Sequence, residues 1–142
     1  MQIRLIEYGT EEYWQEFELR DEVLRKPLEL RLTKDDVKGE ENQYHVGAFE
    51  DECLLGCLVL TPEEDGKIRM RQVAVGYDAR GKGVGQAMVK FAEDFSLQNG
   101  YKKIILNARK FVKGFYENMG YHAYGEEFKS MGIPHVYMEK DL

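Results

Sequence analysis

The stretch Val73-Ala74-Val75-Gly76-Tyr77-Asp78-Ala79-Arg80-Gly81-Lys82-Gly83-Val84-Gly85 decides the fold. It begins as an apolar strand, passes through a turn in which three glycines alternate with cations, and enters a segment with helical periodicity. In that segment Val84, Met88, Phe91, Ala92 and Phe95 share one face, while Gln86, Lys90, Glu93 and Asp94 fall elsewhere. A glycine-rich turn at a helix start directs several backbone N–H groups outward at the positive end of the helix, which is an anion site in waiting. Gly81, Gly83 and Gly85 carry no Cβ to hold a phosphate off the backbone. Arg80 and Lys82 add positive charge.

Upstream, Lys67 to Val75 reads as a strand with broken parity. Ile68 and Met70 are apolar on one parity, Val73 and Val75 on the other. One extra residue near Arg71-Gln72 would return all four to one face, as a β-bulge that also bends the strand. A strand buried on both faces is the alternative. Before it, Tyr44 to Phe49 and Cys53 to Leu60 read as strands joined by Glu50-Asp51-Glu52, and Pro62 to Gly66 makes the next turn, so the order is a meander. At the N-terminus Ile3 and Leu5 mark an opening strand. Thr10 is placed to cap a helix from Glu11 whose apolar face is Tyr13, Trp14, Phe17 and Leu24, with Pro27 at its end. Thr33 to Gly39 reads as a short second helix.

Downstream, Gly100 stops the central helix. Lys103 to Ala108, with Ile104, Ile105 and Leu106 in one apolar run, suits a central parallel strand. A helix near Lys110 to Asn118 follows, with Val112, Phe115, Tyr116 and Met119 inward and Gly120 at its end, then strands over Tyr121 to Phe128 and His135 to Lys140. The expected architecture is α/β: one domain over residues 1–142, a mixed sheet with helices on both faces.

Composition narrows the functional classes. The chain has 142 residues, 43% hydrophobic and 32% charged, with net charge -6. An acidic protein without a basic face is a poor nucleic-acid binder. No stretch reaches the roughly 20 apolar residues of a membrane span, and no signal-peptide pattern opens the chain, so a cytoplasmic location is expected. The two cysteines, Cys53 and Cys57, would share a face of one strand, too far apart for a disulfide, and no second pair completes a zinc site; no metal is expected. The acidic clusters Glu40-Glu41 and Glu63-Glu64-Asp65 mildly favour a cationic substrate.

Two nucleotide readings of the turn fit poorly. A Walker loop needs Ser or Thr after Gly-Lys, where Gly83 stands; a dinucleotide fingerprint needs Gly-x-Gly-x-x-Gly after the first strand of a parallel unit. Instead, Arg80-x-x-Gly83-x-Gly85 between Val73-Ala74-Val75 and an amphipathic helix resembles the acyl-CoA signature of the GNAT N-acetyltransferase superfamily. The resemblance extends over about Gly66 to Tyr121, through Leu106-Asn107-Ala108-Arg109 and Phe115-Tyr116-Glu117-Asn118-Met119-Gly120-Tyr121. The ending Gly132-Ile133-Pro134-His135-Val136-Tyr137-Met138-Glu139-Lys140 looks like a bacterial branch of it.

The resemblance implies a mostly antiparallel, splayed sheet and transfer of an acetyl group from acetyl-CoA to a small or protein amine. It assigns the pyrophosphate to the amides of Arg80, Gly81, Lys82, Gly83, Val84 and Gly85, and the pantetheine arm to the edge of Val73, Ala74 and Val75. Asn107 becomes a cofactor anchor, Phe115 a neighbour of the cofactor, and Tyr116 the acid that protonates the leaving thiolate. The general base stays open between His135, Glu127, Glu126, Glu22 and Arg20. His45 and His122 are taken as sheet residues without chemistry. A homodimer is common in the family. Two readings compete with the enzyme: a non-catalytic acyl-CoA-binding module, and an interaction domain with no ligand.

Overall fold

The computed structural model describes all of residues 1–142. Seven strands form one sheet in the order β1-β2-β3-β4-β5-β7-β6, with β1 Gln2–Ile6, β2 Tyr44–Glu50, β3 Cys53–Pro62, β4 Lys67–Val75, β5 Lys103–Arg109, β6 His122–Ser130 and β7 Ile133–Asp141. Every neighbouring pair is antiparallel except β4–β5. Helix α1 (Glu11–Arg20) covers one face and α2 (Val84–Gln98) the other; α3 (Lys113–Glu117) is a short turn of helix after β5.

The main core lies between α2 and the sheet. Ile68, Met70, Ile104, Leu106, Val136 and Met138 point there against Val84, Met88 and Ala92, and Val73 and Val75 pack at its margin. Thr10 caps α1 as expected, its hydroxyl accepting the N–H of Tyr13 at 3.3 Å. At the end of α1 the chain widens into a π turn over Asp21–Arg25 and a 3-10 turn over Lys26–Leu28, which holds Pro27. The Asp21 carboxylate accepts the N–H of Leu32 at 2.7 Å and pins the following loop. Thr33 to Gly39 makes successive turns rather than a helix, with Asp36 bonding back to Thr33.

Several charged residues expected at the surface are inside. Glu16 and Arg20 of α1 and Glu40 are fully buried, and Glu93 of α2 is buried on the core side. Each has a partner: Arg20 reaches Glu40 at 2.8 Å twice and Glu16 at 3.1 Å, while Glu93 meets Tyr121 at 2.9 Å and Lys140 at 3.1 Å. Cys53 is exposed and Cys57 buried under α1, both free. A register shift opposite Ala48 and Phe49 changes the strand parity between them, so they do not share a face.

The parity break in β4 is a bulge. Val59 lies opposite Arg71 and Cys57 opposite Ala74, so Leu58 faces two residues, Gln72 and Val73. Gln72 has φ +55°, a left-handed conformation that costs a non-glycine residue about 1–2 kcal/mol. The bend has a consequence for the sheet: β4 and β5 pair only from Lys67/Lys103 to Met70/Leu106. Beyond that point the two strands part.

Candidate active site

The parting strands open a cleft of about 630 Å³. One wall is Met70 to Val75, the other Leu106 to Arg109. Val23, Leu24 and Arg25 from the π turn, Val112 and Tyr116 from the segment after β5, and His135 from β7 complete it.

The β4 wall presents main-chain groups that no neighbouring strand pairs. Gly76 N–H donates to Leu55 of β3 at 2.8 Å, and Ala74 pairs with Cys57. Strand alternation therefore turns the N–H and C=O of Val73 and Val75 the other way, into the gap. The Val75 carbonyl indeed accepts from Arg80 Nε at 3.4 Å. The amide oxygen of Gln72 is buried without a hydrogen-bond partner, beside the same wall. An unmet buried acceptor is costly, and it is suited to an N–H brought in by a ligand.

The glycine turn stands at one mouth. Gly81 (φ +76°) and Gly83 (φ +77°) take left-handed conformations, and a Cβ at either would meet no atom within 4 Å. The space in front of the turn is open to a ligand. Gly85 serves packing instead, since a Cβ there would lie 3.4 Å from the Phe115 ring. Arg80 stacks 4.4 Å from the Tyr77 ring and has no carboxylate partner.

Tyr116 is only 7% exposed, held edge-on between Phe115 and Tyr121 at 5.0 and 5.6 Å. Burial pushes its phenol up to about 12, so it is a proton donor throughout the neutral range. His135 is equally buried, with its ring over Phe128. Its Nδ1 lies 2.7 Å from the Ile133 carbonyl oxygen. A carbonyl only accepts, so Nδ1 carries the proton, and in the neutral ring Nε2 keeps the lone pair.

The structure brings together Val73, Val75, Arg80, Asn107, Tyr116 and His135 on one cleft. It separates others. Glu127 is more than half exposed on β6 and pairs with Lys110 at 2.8 Å, outside the cleft. The register shift between Tyr124 and Phe128 defeats simple alternation there, so Glu127 does not face the site. Glu126 is also exposed on β6, Glu22 and Lys82 line a second hollow, and Arg20 is consumed by its buried ion pairs. Ala74 faces α1, against Val23 and Cys57, and the Val84 side chain is core, so these two offer only backbone. Asn107 Oδ1 accepts from Arg69 at 2.8 Å. Arg25, Arg71 and Arg109, which line the cleft, were not singled out as site residues; they come from three separate segments, and no local pattern joins them.

His45 is not a plain sheet residue. It bridges the Glu16 carboxylate at 3.0 Å and the Glu40 carbonyl at 2.8 Å. Glu16, Glu40 and His45 hold ligand atoms within 4.8 Å of one another, but Arg20 already bonds both carboxylates.

The profile of the Acetyltransferase (GNAT) domain family matches residues 7–142. The chain belongs to that family. The uncharacterized N-acetyltransferase YitI of Bacillus subtilis (strain 168) is 29% identical over 133 residues, 89% of each protein. Among solved structures, an acyl-CoA N-acyltransferase from Pseudomonas aeruginosa superposes with a TM-score of 0.84 at 22% identity, covering 98% of both chains. A Bacillus subtilis acetyltransferase in complex with CoA gives 0.75 at 21%, covering 99% of this chain and 98% of that one. These likenesses bear out the GNAT fold: a mixed, mostly antiparallel sheet that splays between β4 and β5. No helix is long and apolar enough to cross a membrane.

Proposed function

We propose that this chain transfers an acetyl group from acetyl-CoA to a primary amine. The observation that carries the reading is the parting of β4 from β5 beyond Met70 and Leu106, which leaves the edge of Val73 and Val75 unpaired between the glycine turn and Tyr116. An extended amide-bearing ligand pairs with such an edge as an added strand would. The open space before Gly81 and Gly83, with Arg80 beside it, suits a pyrophosphate.

The residues divide the work by face. His135 and Arg109 are opposite one another in the β5–β7 pairing, so their side chains share the face toward α1. Tyr116 packs with the core on the α2 side. An amine entering from the α1 face gives up its proton to His135 Nε2, directly or through water. The Val75 N–H, turned into the gap, donates to the thioester oxygen as it gains negative charge. The departing sulfur takes a proton from Tyr116, whose raised pKa leaves the hydroxyl protonated until that moment.

The test is steady-state thiol release from acetyl-CoA with a panel of amines, beside calorimetric titration with CoA. The Tyr116→Phe variant is expected to lose about 10²-fold in kcat while binding CoA as tightly as the wild type. Full turnover in that variant removes the acid role. Binding without turnover of any amine would leave an acyl-CoA-binding module, and no CoA binding at millimolar concentration would defeat both.

A further inference from the structure

The charge of the cleft contradicts the charge of the protein. The chain carries net charge -6, yet Arg25, Arg71, Arg80 and Arg109 line the cleft and no Asp or Glu does. Of the acidic clusters that favoured a cationic substrate, Glu40 is buried on Arg20 and Glu63 is paired with Arg69.

Three of these arginines form a group apart from the glycine turn. Arg71 alternates with Ile68 and Met70, which face α2, so it lies on the α1 side, where it donates to Gln43 at 3.0 Å. Arg109 alternates with Ala108 in the same way and donates to the Leu24 carbonyl on the π turn at 3.3 Å. Arg25 is the next residue of that turn. Their charges act on one another. Burial and then Arg25 lower the Arg109 pKa; burial lowers that of Arg71, with Arg20, Arg25 and Arg69 adding to it against Glu40. Arg80 figures in neither. Arg71 reaches Glu40 only at 3.9 Å, and Arg25 and Arg109 form no salt bridge at all. Half-buried guanidinium groups that repel one another, two of them without a counter-ion, are a poor packing solution and a good anion receptor.

We infer that the acceptor is an amine that carries its own anionic group, a carboxylate or phosphate a few bonds from the nitrogen, held by Arg25 and Arg109 with Arg71 behind them. The opposed positions of His135 and Arg109 match the spacing within such a molecule: the base receives the amine while the neighbouring guanidinium holds the anion. Leu24, Pro27 and Met131 border the same space, so an apolar body between the two ends is accommodated. The inference rests on the acetyl-transfer reading for its chemistry, but not for its binding.

The experiment uses matched pairs that differ only in the anion, phenylalanine against phenylalaninamide and O-phosphoethanolamine against ethanolamine, with spermidine as a cation. Each is titrated into the CoA-loaded full chain by calorimetry and assayed for thiol release. The anionic member of at least one pair is expected to bind roughly tenfold to hundredfold better than its neutral partner. Which pair responds separates carboxylate from phosphate. Arg109→Gln and Arg25→Gln should erase that preference with CoA affinity unchanged, and Arg109→Lys should restore part of it. Equal binding within both pairs, tighter binding of spermidine, or a preference that survives both glutamine variants overturns the inference. Absence of thiol release with every amine would count against acetyl transfer alone, because the titration decides the charge preference without turnover.

Discussion

Arg20 and Arg25 lie five positions apart and are built into opposite surroundings. Arg20 is fully buried and spends its guanidinium on Glu40 and Glu16, with His45 and Tyr13 closing the same network. Arg25 is half-buried beside Arg109 and bonds no carboxylate. The first cluster balances its own charge: with His45 protonated, two cations face two carboxylates. The second is left positive. One arginine ties its helix to the turn before β2; the other bonds no carboxylate. Between them the π turn over Asp21–Arg25 redirects the chain from the interior to the cleft. Elements that serve stability alone need every charge answered, and a site for a ligand is recognised by the charge that is not.

The largest way to break this contrast is to remove Arg20. Arg20→Met leaves one buried cation, His45, to two buried carboxylates, and breaking a buried pair from one side costs about 3–5 kcal/mol. Urea denaturation should show that loss. A cost below about 1 kcal/mol would mean that the network does not hold α1 to the sheet.

Next in size is the pH response of His45. Burial lowers the pKa of this imidazole, but the hydrogen bond and charge of Glu16, and then Glu40, outweigh burial and hold it above the ordinary value of about 6.5. The geometry agrees: Nε2 must donate to the Glu40 carbonyl and Nδ1 meets a carboxylate oxygen, so both nitrogens carry protons. The folded state thus binds this proton more tightly than the unfolded chain. The stabilisation is complete below about pH 6.5 and fades as pH rises through the folded pKa. Tyr13, Arg20 and Cys57 also border the ring's carboxylate partners, with burial foremost in raising the Tyr13 phenol and the Cys57 thiol, so neither loses a proton in that window. The stability difference between wild type and His45→Gln, followed from pH 6 to pH 9, should shrink. A flat difference would show that His45 is neutral in the fold.

The sequence was most legible where neighbours in the chain decide the structure. Gly81 and Gly83 marked a turn open to a ligand and Gly100 and Gly120 marked helix ends, and all four have positive φ. The bulge at Gln72 was readable because a parity break is local, and the widened gap followed from it. Partnerships over distance were not. Glu16 and Arg20 carry the i,i+4 signal of an ion pair, but nothing in α1 shows that Glu40, twenty residues on, would draw both inside. Glu40 itself was read as part of an acidic surface. Glu127 was misplaced because the irregularity near Gly125, with φ +69°, shifts the register of β6. The tyrosine of the cleft was legible through the family resemblance and the histidine by its type, whereas the arginine group needed the sheet to bring β4, β5 and the π turn to one place.

The smallest expected effect sharpens the comparison most. Arg25→Gln removes a charge that no carboxylate balances and that repels Arg71 and Arg109. Stability should therefore change by no more than about 0.5 kcal/mol, and it should rise rather than fall if relief of repulsion exceeds the lost packing of the side-chain stem. Low salt is where the gain should be largest, because half-exposed charges are screened at high salt. The measurement is urea denaturation of wild type and variant at two salt concentrations. A loss comparable to that of Arg20→Met would place Arg25 in an unrecognised structural network and would erase the distinction between the two arginines.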